Sequence, residues 1–283
     1  MEYLFLHLDR LKNRLSGKFI LLFLDYDGTL TPIVETPAKA VISKERKDLL
    51  DKLSTNPHCR VAIISGRALS DIKSLVGLKN IIYAGNHGLE IESPKIKFSR
   101  LPFDIRRDPA MAGESQVSPR LKSIVRHIYE DAVSKFSKIK GVLIEDKGLT
   151  ISVHYRLVDE KDIQEFLGIF NEITDPYIVR GKIKINSGKK VYEIRPPVMW
   201  DKGKVVLWLL ARQQFLSGEN KIFPVYIGDD VTDEDAFKVL KKKGLTIFVG
   251  EQVNSEAQYY LKTAEEVTEF LRLIRDLKSI NKI

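Results

Sequence analysis

The sequence predicts an α/β protein, a doubly wound parallel sheet interrupted by an inserted α+β module, on three observations. Short apolar runs without polar alternation (Phe19 to Leu24, Val61 to Ile64, Ile81 to Ala84, Phe223 to Ile227) each end abruptly in polar residues, as strands buried on both faces do. Segments of helical periodicity separate them, which is the βαβ grammar of a parallel sheet. Between Asp104 and Pro197 that grammar gives way to helix-then-hairpin, twice over, and afterwards it resumes.

The elements follow in order. Leu4, Leu8, Leu11 and Leu15 share one face of an amphipathic helix, too charged for a signal peptide. After the first strand, Ser43 to Leu53 is a helix with Ser43 as its cap. The second strand ends in Ser65-Gly66-Arg67, a helix from Ala68 to Val76 follows, and the third ends in Gly85-Asn86-His87-Gly88. Right-handed crossovers bring these three exits to one edge. From Asp104 to Pro119 periodicity is lost and Pro and Gly accumulate, the composition of a linker. Beyond it stand a helix (Leu121 to Phe136), a hairpin (Val142 to Glu145, Leu149 to Arg156), a helix (Glu160 to Ile173) and a strand pair (Tyr177 to Ile185, Lys190 to Arg195), closed by Pro196-Pro197. The core returns with helix Asp201 to Phe215, strand Phe223 to Ile227, helix Glu234 to Lys242, strand Leu245 to Val249 and an amphipathic helix Glu265 to Leu277. The expected domains are therefore a core of 1–103 with 198–283 and an insert of 104–197.

Composition narrows the function. A chain of 283 residues, 43% hydrophobic and 30% charged, forms one large or two modest domains and can bury a full core. The single cysteine, Cys59, excludes an internal disulfide and a cysteine-based zinc site, and the five histidines show no paired spacing. The net charge of +8 is spread along the chain, and its densest run, Lys241-Lys242-Lys243, falls at a helix end where cations complement the dipole. Small anionic substrates fit that charge better than nucleic acid. The longest apolar run is too short for a bilayer, which takes roughly 20 residues. A soluble cytoplasmic protein, without membrane or nucleic-acid partner and monomeric, is the expectation.

The strand exits carry the chemistry. Asp25 and Asp27 flank one residue before Gly28; Ser65 ends the second strand; Asp229 and Asp230 end the strand after the insert; Lys202 opens the returning helix. Open α/β sheets bind ligands at such an edge. Carboxylates from two strands are hard-oxygen ligands suited to magnesium (Mg2+). A hydroxyl and a lysine beside them suit a phosphoryl group. Each element has a plainer reading: Asp-Gly as a solvated turn, Ser65 as a helix cap, Lys202 as a surface residue. Acids at a helix N-terminus are the accepted reading of Glu234 and Asp235.

DYDGTLTP, SGR, DKGK and GDDVTDED, in that order, resemble the four motifs of the haloacid-dehalogenase-like (HAD-like, Rossmannoid) phosphohydrolases. YAGNHGLEI, IEDKGLTISVHYR, GKKVYEIRP and the full GDDVTDED are similar to trehalose-6-phosphate phosphatases, and the likeness runs from about Phe19 to Val249. It implies that Asp25 is the nucleophile, forming an aspartyl-phosphate, and that Asp27 protonates the leaving sugar oxygen and then deprotonates the attacking water. It implies magnesium held by the Asp25 carboxylate, the Asp27 backbone carbonyl and Asp229, with Asp230 close by. Ser65 and Lys202 would hold phosphoryl oxygens, with Gly28, Thr29, Gly66 and Arg67 as further substrate contacts. A phosphate dianion repels a carboxylate, so charge must first be neutralised, and the two aspartates need environments that separate their pKa values.

The insert would choose the sugar. Side chains alternate along strands, so Glu193, Arg195 and Lys189 share a face opposite Tyr192 and Ile194, and His154 and Arg156 a face opposite Ile151, Val153 and Tyr155. One charged face suggests a cap whose polar side reads sugar hydroxyls, although exposed strand faces are commonly charged. The resemblance implies that Glu145, Lys147, Arg156, Lys189 and Glu193 contact the sugar. Three readings stand: a Mg2+-dependent phosphatase acting on trehalose 6-phosphate; an enzyme for sucrose 6-phosphate or mannosyl-3-phosphoglycerate, or a phosphomannomutase; and a non-catalytic sugar-phosphate-sensing partner.

Overall fold

The computed structural model describes residues 1–34, 39–94, 118–188, 190–198, 200–217, 222–251 and 254–280. The chain divides into two compact units, Met1–Pro102 with Trp200–Ile283, and Phe103–Met199. In chain order the elements are β1 (Glu2–Tyr3), α1 (Leu8–Leu15), β2 (Phe19–Leu24), α2 (Lys44–Ser54), β3 (Cys59–Ile64), α3 (Leu69–Val76), β4 (Ile82–Gly85) and β5 (Glu90–Glu92). The second unit holds α4 (Pro119–Phe136), β6 (Leu143–Asp146), β7 (Ile151–His154), α5 (Ile163–Val179), β8 (Lys184–Gly188) and β9 (Val191–Arg195). The first unit resumes with α6 (Lys202–Ser217), β10 (Ile222–Gly228), α7 (Glu234–Leu240), β11 (Leu245–Val249), β12 (Tyr259–Leu261) and α8 (Ala264–Ile280).

Among the described residues the first unit is a sheet in the order β1-β12-β11-β10-β2-β3-β4-β5, parallel throughout except for β5. β2 is buried on both faces, and its residues divide by parity. Ile20, Leu22 and Leu24 pack with Leu49, Leu53, Phe270 and Ile274 of α2 and α8. Leu21 and Phe23 pack with Val205, Val206, Leu209 and Phe237 of α6 and α7. Strand order reverses between β2 and β10, the switch point at which doubly wound sheets open a crevice. Pro224 is tolerated in the central strand β10 because pairing with β11 begins only at Val225.

In the second unit an antiparallel sheet, β6-β7-β9-β8, turns Ile151, Val153 and Ile194 onto α4 and α5, where Val125, Ile128, Phe166 and Phe170 meet them. The expected strand from Tyr177 is a correction: α5 continues through Pro176 to Val179. Tyr177 stands on the face of Phe166, Phe170 and Ile173 and joins their cluster, so burial outweighs the proline, whose cost inside a helix is about 3 kcal/mol. The chain turns only at Gly181, where φ is +60°, with Lys182 N–H donating to Tyr177 O at 2.8 Å. At the N-terminus, Leu4–His7 is a 3-10 turn ahead of α1. Of the expected linker from Asp104 to Pro119, residues 104–117 lie outside the described residues, as does the sugar contact Lys189, and Ser118 and Pro119 already cap and open α4.

Buried Arg46 of α2 ties the loop after β2 to the C-terminal helix. It donates to Leu30 O at 2.8 Å, Thr268 Oγ1 at 2.6 Å and Glu265 Oε1 at 3.1 Å. Arg46→Met leaves the buried Leu30 carbonyl and Thr268 hydroxyl without their donor, and should cost about 2–4 kcal/mol, measured by urea unfolding.

Candidate active site

β2 and β10 are neighbours in register, Leu24 opposite Ile227, so Asp25 and Asp229 leave the sheet near one another. Asp25 is only 5% exposed and is anchored by its own amide, which donates to Ile227 O at 2.9 Å. Gly28 makes the approach possible: its φ is +83°, and a Cβ there would lie 2.0 Å from Asp229 Oδ2. Thr29 Oγ1 donates to Asp229 Oδ1 at 3.4 Å.

Lys202, the first residue of α6, is buried. Its ammonium donates to Asp25 Oδ1 at 2.7 Å and Asp233 Oδ1 at 2.8 Å, and lies 3.9 Å from Asp230 Oδ1. Burial alone would lower its pKa, but Asp233, Asp25 and Asp230 outweigh burial and hold it well above the ordinary lysine value. Burial pushes the Asp25 carboxyl well up; Lys202 opposes this, and Asp233, Asp229 and Asp230 add to it. Asp229 is pushed up to about 7 by burial first and then by Asp233 and Asp230. Carboxyl groups so crowded call for a cation.

Single oxygens of Asp25, Asp229 and Asp233 lie within 4.8 Å of one another, a cluster of the size a metal needs. Hydrogen bonding separates the three. Asp233, fully buried, already accepts from Lys202 and from Tyr226 Oη (2.6 Å) at Oδ1, and from the amides of Asp229 (3.0 Å) and Asp230 (3.1 Å) at Oδ2. With four donors its acceptor sites are filled. Asp25 and Asp229 are thus the hard-oxygen groups suited to a divalent cation, and Asp233 organises the loop around them.

Asp230 turns away. Its Oδ1 accepts from Thr232 N–H (2.9 Å) and Oγ1 (2.6 Å), its side chain is half exposed, and Lys202 with these bonds holds its pKa low against burial. Asp27 accepts from Arg67 at both oxygens, 2.7 Å from Nε and 2.6 Å from Nη2. Each oxygen thus accepts one bond and keeps a second lone-pair site. Ser65 is buried at the end of β3, where its Oγ accepts from Arg67 N–H at 3.1 Å. The next exit supports that turn: Asn86 and His87 hold positive φ of 51° and 54°, Asn86 N–H donates to Arg67 O, and His87 N–H to Ser65 O. A Cβ on Gly66 would lie 2.7 Å from the His87 ring. Strained backbone of this kind gathers at functional sites.

In the second unit Glu145, Ser152, Glu193 and Asn186 stand opposite one another in one row across β6, β7, β9 and β8. Glu145 Oε2 also meets His154 Nε2 at 3.4 Å and Lys147 Nζ at 3.8 Å. Arg156 is exposed just beyond β7. Sequence reasoning missed Asp233, Tyr226, Ser152 and Asn186. A tyrosine inside an apolar strand was a usable signal, because a buried phenol needs a partner.

The family model described as trehalose-phosphatase matches residues 23–266. The chain is 37% identical over 266 residues to trehalose 6-phosphate phosphatase RA3 of Zea mays, covering 93% of this chain and 72% of that protein. It is 36% identical over 275 residues to trehalose-phosphate phosphatase B of Arabidopsis thaliana, covering 95% and 70%. The C-terminal domain of trehalose-6-phosphate phosphatase from C. albicans superposes with a TM-score of 0.72 at 26% identity, over 95% of this chain and 97% of that one.

The raised Asp229 pKa yields a signed expectation. Without a cation, the proton on Asp229 contributes stability that is complete below the ordinary value of 3.8 and is lost as pH rises through about 7. Thermal midpoints of metal-free protein should fall over that window, and Mg2+ should restore them. Because the ion displaces the proton, Mg2+ affinity by calorimetry should climb up to about tenfold per pH unit below that pKa and level off above it.

Proposed function

The chain belongs to the trehalose-phosphatase family and is a phosphoric monoester hydrolase, and on that premise we propose that it hydrolyses trehalose 6-phosphate to trehalose and phosphate through an aspartyl-phosphate on Asp25. The observation that carries this reading is the buried Lys202 ammonium bonded to Asp25 at the sheet's switch point. A carboxylate held there beside a fixed positive charge can approach a phosphate dianion that would otherwise repel it.

Asp25 attacks phosphorus; the bond to the sugar oxygen breaks as the bond to Asp25 forms. Lys202 and the Ser65 hydroxyl hold phosphoryl oxygens, and the amides at Gly28 and Gly66 add donors. Asp27 gives its proton to the leaving sugar oxygen, then takes one from the water that attacks the aspartyl-phosphate, releasing phosphate and restoring Asp25. Mg2+, held by the Asp25 and Asp229 carboxylates and the Asp27 carbonyl, supplies Lewis-acid neutralisation of the phosphoryl oxygens when bound. Residues 104–197 act as the specificity cap, in which Glu145, Lys147, Arg156, Lys189 and Glu193 read sugar hydroxyls. The row of Glu145, Ser152, Glu193 and Asn186 supports that reading, since mixed donors and acceptors suit a polyol. The small sugar phosphate is the partner, and the cytoplasm the proposed compartment.

Phosphate release across a panel of sugar phosphates, with and without Mg2+, tests the reading: turnover of trehalose 6-phosphate should exceed that of sucrose 6-phosphate and mannosyl-3-phosphoglycerate and should vanish on chelation. Release from none of them would sink it. Asp25→Asn should be inactive, and Asp27→Asn should lose about 10²–10⁴-fold while keeping Mg2+ affinity.

Glu193→Ala addresses the cap alone. It should depress turnover of the disaccharide phosphate far more than that of para-nitrophenyl phosphate, and equal losses on both would remove Glu193 from sugar reading.

A further inference from the structure

Behind Lys202 lies a phenol that no step above uses. Tyr226 is wholly buried in β10 on the face toward α6 and α7. Its ring is stacked on Phe23 at 6.3 Å and set edge-on to Phe237 at 5.7 Å. Confined by two aromatic neighbours, its hydroxyl has one direction. It donates to Asp233 Oδ1 at 2.6 Å, the same oxygen that Lys202 Nζ meets at 2.8 Å.

Two donors on one oxygen compete. Electron density that Asp233 Oδ1 gives to the phenol is withheld from the ammonium, so the phenol weakens the pull of Asp233 on Lys202 and leaves more of that charge toward Asp25. Without the hydroxyl, Lys202 would be the only donor to Oδ1, and it would be drawn back from the phosphoryl position. We propose that Tyr226 is a positioning residue for Lys202, acting through Asp233, which sets how much of the ammonium's charge reaches a phosphoryl oxygen. This rests on the reading of Lys202 as the phosphoryl-binding cation.

A scaffold role for the same hydroxyl makes a different prediction. Asp233 Oδ2 holds the amides of Asp229 and Asp230, so if Tyr226 only braced this loop, its loss would displace Asp229 and weaken cation binding. The two roles separate when cation and anion affinities are measured independently.

The experiment compares the full chain with Tyr226→Phe by calorimetry, titrating Mg2+ into metal-free protein and inorganic phosphate into the Mg2+-loaded protein. Phosphate binding should weaken about five- to tenfold, the order of one hydrogen bond lost, with Mg2+ affinity held within about twofold and kcat/KM falling in step with phosphate affinity. Loss of Mg2+ affinity by the same factor as phosphate, or no change in either, overturns the proposal. If Tyr226→Phe does not fold, 3-fluorotyrosine placed at position 226 keeps ring and hydroxyl and strengthens the donor: phosphate should then bind more tightly with Mg2+ unchanged, and weaker or unaltered phosphate binding overturns it. Wild-type protein that neither binds phosphate nor releases it from any sugar phosphate defeats the functional reading itself, whereas an active wild type with an indistinguishable Tyr226→Phe defeats only this inference.

Discussion

The site depends on one buried cation. Lys202 stands at the first position of a helix, where the backbone dipole disfavours positive charge, and burial disfavours it again. The carboxylates of Asp25 and Asp233, at 2.7 and 2.8 Å, with Asp230 at 3.9 Å, make it tolerable there. Removing either partner would leave a poorly compensated charge. The surrounding sequence is fitted to this arrangement: Gly203 lets α6 press against α7, since a Cβ would stand 2.5 Å from Asp235 O. Gly228 leaves room for the Asp233 carboxyl, which a Cβ would meet at 2.2 Å.

The sheet brings these groups together without long loops. β2 and β10 run side by side at the switch point, so one residue past each strand suffices to set Asp25 and Asp229 near one another. Both strands are buried on both faces, which fixes their register, because a one-residue slip would exchange their two apolar sets. The precision of the site is therefore borrowed from the core. The aromatic packing of Phe23, Tyr226 and Phe237 extends that rigidity to the level of the Asp233 carboxyl.

Much of this was legible in the sequence because strand exits announce themselves. An apolar run that stops at a carboxylate gave Asp25 and Asp229, and a helix restart gave Lys202. Asp233 was hidden, since an acid at a helix N-terminus has a sufficient local reason to be there, and only its four donors reveal the larger role. The pairing of Asp27 with Arg67, forty residues on, leaves no trace in local pattern. The edge strands β1 and β5, and β12 beside β1, are two or three residues long, too short for periodicity. In α5 the reading failed for the opposite reason: Asp175-Pro176 is a strong local breaker, and the packing of partly buried Tyr177 that overrides it is a tertiary effect. Local grammar thus locates the groups that leave the sheet, whereas the contacts that assign their roles are made across it.

The two aspartates of the first motif illustrate that division. One residue apart, they are carried by the turn at Gly28 into unlike surroundings. Asp25 is buried against an ammonium, a compact point charge that neutralises without occupying both oxygens. Asp27, its side chain half exposed, meets a guanidinium that does occupy both. A nucleophile needs one oxygen free to attack and charge neutralised nearby, which a lysine provides and a bidentate arginine would not. An acid-base group must exchange protons with leaving oxygen and water, so it belongs where solvent and substrate arrive. On the roles proposed for Asp25 and Asp27, lysine for one and arginine for the other would suit that difference in task.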